Sequence, residues 1–163
     1  MRILGLDPGF AITGYGIVDH IGSKLVSIEY GAITTDAKTP FPKRLTEIGD
    51  QLSAILHAFK PDHIVIEDLF FNTNTKTAIQ VAQARGILIY IAEKFGKQTF
   101  SYTPVQVKSS VCGHGRAEKH QVQFMVQKLL NLKEKPKPDD VADALAIAIC
   151  HAHSNKLNTL AYT

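Results

Sequence analysis

Arg2-Ile3-Leu4-Gly5-Leu6-Asp7, running on through Pro8-Gly9 to Thr13-Gly14-Tyr15-Gly16, decides how the rest of the chain is arranged. A short apolar run bounded by turn residues has the pattern of a buried central strand. It delivers one carboxylate, Asp7, where the backbone leaves the sheet. Taken alone, Asp7 reads equally well as a turn opener that bonds the amides after it. Two further segments shift that balance. His63-Ile64-Val65-Ile66 is a second apolar strand ending in an acid, Glu67, and a late helix opens Asp139-Asp140-Val141-Ala142-Asp143. Three chain ends that each present a carboxylate have one common chemical use, because hard oxygen ligands converging on a point hold Mg²⁺ or Mn²⁺.

The composition is that of an ordinary globular domain: 163 residues, 45% hydrophobic and 20% charged, enough for one substantial core. The expected layout is a single domain over residues 1–155 followed by a flexible tail, 156–163, that lacks periodicity. No apolar run approaches the roughly 20 residues of a membrane helix, and the N-terminus opens on a strand instead of a signal segment. A cytoplasmic protein with no membrane partner is therefore expected. Cys112 and Cys150 are too few and too isolated for a disulfide framework or a zinc site. The net charge of +3 is mild evidence for a polyanionic partner. Its distribution says more, since Lys and Arg gather between Lys94 and Lys137 while acids sit at strand ends and one helix start. A basic surface around an acidic point suits a nuclease.

Outward from the first strand, Thr13 to Asp19 and Lys24 to Thr34 read as two more strands joined by a hairpin, giving an antiparallel meander. Thr35 to Pro42 reads as a loop. Leu45, Ile48, Leu52, Ile55, Leu56 and Phe59 then recur at helical spacing until Pro61-Asp62 stops them. A helix followed by a buried strand makes a crossover, so His63–Ile66 should run parallel to the first strand and bring Glu67 to the same sheet edge as Asp7. A long helix from about Lys76 to Phe95, a short strand from Gln98 to Tyr102 and a helix from Pro104 to Cys112 follow. Helices over Ala117–Leu130 and from Asp139 to about Asn155 complete the chain.

Leu4-Gly5-Leu6-Asp7-Pro8-Gly9 with Thr13-Gly14-Tyr15-Gly16, Ile66-Glu67-Asp68, Gln83-Ala84-Arg85-Gly86, Ala117-Glu118-Lys119 and Asp140-Val141-Ala142-Asp143-Ala144-Leu145 together resemble the RuvC Holliday-junction resolvase family. The resemblance covers nearly the whole chain in order. It implies an α/β, ribonuclease H-like fold: a five-stranded mixed sheet, first three strands antiparallel, helices on both faces. It also implies a Mg²⁺-dependent homodimeric endonuclease that cuts opposed strands of a four-way DNA junction, working beside a branch-migration helicase complex.

Within that frame Asp7, Glu67, Asp140 and Asp143 are the expected ligands of two Mg²⁺ ions, Mn²⁺ being a possible substitute, with Asp7 bridging. Asp140 and Asp143 lie three apart in a first helical turn, so they share a face where the helix dipole favours negative charge. Acids there also serve simply as caps. Asp139 and Asp68 are expected as supporting neighbours. The resemblance implies catalytic-site or DNA-binding lysines at Lys108 and Lys119. Arg116, Lys76 and Arg85 are candidate phosphate contacts, Arg85 alternatively a brace for the fold. Phe70, three residues past Glu67, is the candidate to stack on an unpaired base, with Phe71 competing. His151 and His153 are expected to be solvated or structural. The small-residue face of the 76–95 helix is the expected dimer seam, since two symmetric cuts need two sites. Competing readings are a ribonuclease H-like nuclease acting on RNA or RNA–DNA hybrid, a non-catalytic junction-binding protein, and a fragment of an actin-like ATPase or sugar kinase.

Overall fold

Alternation along two strands settles which side of the sheet each carboxylate faces. In β1 (Arg2–Asp7) Leu4 and Leu6 pack into one core, while Ile3 belongs to the other and Gly5 and Asp7 follow it at period two. In β4 (His63–Glu67) Ile64 and Ile66 join Leu4 and Leu6, and Val65 joins Ile3, with Glu67 next in that series. The two strands pair in parallel, Leu6 opposite Ile66, so Asp7 and Glu67 emerge side by side from the same edge and on the same face.

The structure, a computed structural model, describes residues 1–68 and 75–161, and of Thr75, Lys76 and 155–161 the backbone alone. Its sheet has five strands in the order β3-β2-β1-β4-β5. The strands β1, β2 (Ile12–Ile21) and β3 (Lys24–Thr34) form the antiparallel meander, and β5 (Gln98–Tyr102) runs parallel to β4. On one face lie α1 (Phe41–Phe59) and α2 (Thr75–Lys94), sealing Leu4, Leu6, Ile17, Ile64 and Ile66. On the other lie α3 (Pro104–Cys112), α4 (Lys119–Leu129) and α5 (Asp139–Ala161). This is the mixed sheet with helices on both faces that the resemblance implies.

Element ends differ from the sequence expectation for local reasons. The first helix begins at Phe41, inside the stretch expected to be a loop, because Pro42 falls in its first turn where no backbone donor is required. The strand β2 runs past Asp19 to Ile21, and the turn into β3 is closed by Gly22 at φ +61°. Helical backbone in α5 continues to Ala161, past Asn155 where the apolar spacing ends.

The helix α5 is the central one. From Val141 to Ala152 nearly every residue is buried, since the sheet lies on one side and α3 and α4 cover the other. Small residues let it approach the strands closely. A Cβ at Gly14 would collide with the Asp140 carbonyl oxygen, and one at Gly5 with the Ala144 carbonyl oxygen. Because Gly14 pairs with Asp7 across β1 and β2, the same close approach brings the start of α5 alongside the end of β1.

Candidate active site

Four carboxylates lie around this corner. Asp7 comes from the end of β1, Glu67 from the end of β4, Asp140 from the first turn of α5 and Asp143 from just beyond it. The carboxyl of Asp7 is buried, faces Glu67, Asp143 and Asp140, and lies within hydrogen-bond reach of Glu67. Burial first, then repulsion from those three acids, pushes it up to about 8. Burial also raises Glu67, opposed by the Asp7 hydrogen bond and by Lys119 and Lys108. Asp143 is raised by burial against the pull of Lys119. Asp7 and Glu67 therefore titrate as a coupled pair, both shifted upward.

The cationic wall is built by α3 and α4. The Lys119 ammonium lies 3.2 Å from Asp143 Oδ2 and 3.5 Å from Asp139 Oδ2. Burial works against its charge, but Asp143 and then Asp139 outweigh it and hold the ammonium above its ordinary range. Its position follows from helix capping: the Glu118 amide donates to Gln121 Oε1 at 2.8 Å, which starts α4 at Lys119. Half-buried Lys108 on α3 reaches the same recess, about 180 Å³, lined also by Glu67, Lys119 and Asp143.

Supporting groups hold the corner in place. The Arg85 guanidinium donates to the Glu67 carbonyl at 3.2 Å, to Asp68 Oδ1 at 3.0 Å and to Ser101 Oγ at 2.9 Å. It thus ties α2 to the ends of β4 and β5. Asp139 accepts from Gln123 Nε2 at 2.8 Å as well as facing Lys119. Arg116 is exposed beside the start of α4, away from these contacts. Phe70 and Phe71 lie outside the described residues, and so does the Lys76 side chain.

The donor set suits a hard divalent cation: carboxylate oxygens only, with the Asp7 carboxyl pushed up by burial and then by its acidic neighbours. Among the described residues no three His, Cys, Asp or Glu side chains already meet on one metal-sized point. Asp143 leans instead on Lys119, and Asp7 on Glu67.

Sequence reading missed a buried polar chain behind the site. His151 is 2% exposed. Its Nε2 is 2.9 Å from His63 Nδ1 and its Nδ1 3.0 Å from the Tyr102 hydroxyl, joining α5 to β4 and β5. The only signal in the chain was a histidine inside an otherwise apolar helical run. The close approach at Gly14 was also hidden, because the spacing of glycines does not say what lies over them.

The family described as crossover junction endodeoxyribonuclease RuvC matches residues 3–151. The chain is 54% identical over 160 residues to the crossover junction endodeoxyribonuclease RuvC of Alkaliphilus metalliredigens, covering 98% of each chain. It is likewise 54% identical over 160 residues to that of Ruminiclostridium cellulolyticum, covering 98% of this chain and 96% of the relative. Among solved structures, T. thermophilus RuvC in complex with Holliday junction substrate superposes with a TM-score of 0.92 at 35% identity, over 98% of this chain and 97% of that one.

Proposed function

The chain belongs to the RuvC family of crossover junction endodeoxyribonucleases, and from that membership we propose how its carboxylate corner cuts DNA. It is a nuclease that resolves four-way DNA junctions in recombination and repair. Asp7, Glu67, Asp140 and Asp143 would hold two divalent cations, Mg²⁺ by their hard oxygen character with Mn²⁺ as substitute. When bound, such ions supply the hydroxide for attack on phosphorus and stabilise the leaving 3′-oxygen. The single observation that carries this reading is geometric: the Asp7 carboxyl at the end of β1 faces those of Glu67, Asp143 and Asp140, and among the described residues no lysine or arginine is ion-paired to it.

The chain's own residues do the rest. Lys119, paired to Asp143, lines the recess beside Glu67 together with Lys108, so both ammonium groups lie where a scissile phosphate would gather negative charge. We assign Arg85 to bracing Glu67 and Asp68 in preference to DNA, and leave Arg116 as an outer phosphate contact. Phe70 and Lys76 are assigned to the junction by family resemblance alone.

One site cuts one strand, so paired nicks require two copies related by a two-fold axis. The seam assigned here is the outer stripe of α2, where Ile79 is 61% exposed, Gly86 has open space beyond its Cα and Tyr90 is 60% exposed. A branch-migration helicase complex is the partner expected from the family.

The deciding experiment compares wild type with Asp7→Asn on a synthetic four-way junction in Mg²⁺. Paired symmetric nicks by wild type are expected, with Asp7→Asn binding normally and cutting at least ~10³-fold more slowly. Cleavage of RNA–DNA hybrid in preference to the junction would overturn the substrate, and binding without cleavage by wild type would overturn the mechanism.

A further inference from the structure

The acids have a recess on each side. Opposite the lysine-lined one lies a larger groove of about 540 Å³, lined by Gly9–Ile12, Ala37, Arg44, Thr77, Gln80, Val81 and Asp140. Its one cationic lining residue is Arg44, on the first turn of α1. That side chain is only 8% exposed. Its Nε donates to Thr35 Oγ1 at 2.8 Å, and its guanidinium carbon stacks 3.7 Å above the Phe10 ring. The Thr35 hydroxyl in turn donates to the Phe10 carbonyl at 3.0 Å. The arginine is thereby clamped against the turn between β1 and β2, with its planar head fixed and its stem covered.

What the clamp lacks is an anion. Among the described residues no carboxylate lies within ion-pair distance of Arg44, although Asp140 lines the same groove. Residues 69–76 and 155–163 contain no Asp or Glu that could supply one. The terminal nitrogens are not sealed away from the groove, since the one orphaned buried side-chain polar atom among the described residues is Ser27 Oγ. A largely buried guanidinium with one protein hydrogen bond and several unspent donors costs free energy unless something charged completes it.

The geometry points to Arg44 as the clamp for a backbone phosphate neighbouring the scissile one, on the opposite side of the acids from Lys108 and Lys119. This assignment rests on the nuclease reading above and deepens it. Four acids repel a polyanion, so a strand crossing them needs cations on both flanks. Lys108 and Lys119 serve one flank, and Arg44 serves the other. The bidentate fork of a fixed guanidinium sets the angle of the strand as well as its distance, which makes Arg44 a positioning residue.

The test is a scan of the junction in which single linkages on each side of the cleavage point are made neutral methylphosphonates. Full-length protein is titrated with each, in EDTA for binding and in Mg²⁺ for single-turnover cleavage of the unmodified control. In wild type, one neutral linkage on each flank should weaken binding about 5–10-fold. In Arg44→Gln that loss should already be present, and neutralising the linkage on the Arg44 flank should add nothing, while the other flank stays sensitive. Lys108→Gln should show the reverse. Arg44→Lys should keep the wild-type salt dependence and part of the sensitivity. A wild-type scan with only one sensitive flank overturns the assignment whether or not Arg44→Gln folds. So does a folded Arg44→Gln that keeps undiminished sensitivity on both flanks, the behaviour of an arginine that only braces the turn. If wild type fails to cut the unmodified junction, the nuclease reading itself falls; a flat flank beside normal cleavage removes only Arg44.

Discussion

Asp7 and His151 are both buried titratable groups, and they respond to acid in opposite senses. Asp7 has a folded value of about 8 against an ordinary 3.8, so the folded state binds more protons. Without divalent ions its contribution is fully present below pH 3.8 and is lost as pH rises toward 8. Asp7→Asn should therefore raise the metal-free Tm at pH 8 by several degrees, and Mg²⁺, which should raise the Tm of wild type, should have little effect on the variant. A wild-type Tm indifferent to Mg²⁺ would contradict metal binding at these acids. His151 is held down to about 4 from 6.5, by burial and then by His63. Its folded form binds fewer protons, so its contribution is intact above pH 6.5 and is lost as pH falls toward 4. In Mg²⁺, where bound ions would neutralise Asp7, wild type should lose about 2 kcal/mol across that window through this group. His151→Gln, which retains a donor and an acceptor, should flatten the slope in denaturant midpoints measured between pH 7 and pH 5. An unchanged slope would place the titrating group elsewhere.

At the scale of elements, the site depends on how closely α5 lies against β1 and β2. The Asp140 carbonyl occupies the space a side chain at Gly14 would need, so Gly14→Ala must push the first turn of α5 outward. We expect a loss of about 1–3 kcal/mol in stability. Cleavage should fall about 10²-fold, because Asp140 and Asp143 move together relative to Asp7. The measurements are Tm and single-turnover cleavage under Mg²⁺ saturation. A variant with wild-type cleavage would mean that α5 can shift without disturbing the acids. The capped start of α4 plays a similar part for Lys119, which stands as the first helical residue only because Glu118 and Gln121 close the turn before it.

At the scale of the molecule, the nuclease reading gives one corner and one nick per chain, so paired cuts would have to come from two copies. Ile79 and Tyr90 leave a large apolar stripe on the outside of α2, the kind of surface a two-fold partner covers. Ile79→Glu should leave the fold and Tm near wild type, shift the mass in solution from dimer to monomer, and replace paired resolution by single nicks. A dimeric Ile79→Glu, or paired cutting by a monomer, would move the seam elsewhere. No helix among the described residues is long and apolar enough to cross a membrane.

Much of this was legible in the chain itself. The crossover through α1 determines that Asp7 and Glu67 leave the same edge, while their sharing one face rests on the register of Leu6 against Ile66. The three-residue spacing of Asp140 and Asp143 determines that they share one face of their helix. Tertiary structure alone decided the rest, since it depends on contacts between residues far apart in the chain. Only packing shows that Arg85 reaches back to Glu67, that His151 meets His63 and Tyr102, and that Gly14 is small because a helix carbonyl lies over it. Arg44 makes the point most sharply. In sequence it is one basic residue among many on an amphipathic helix, and its meaning appears only when burial removes water from its stem while leaving its charge unpaired.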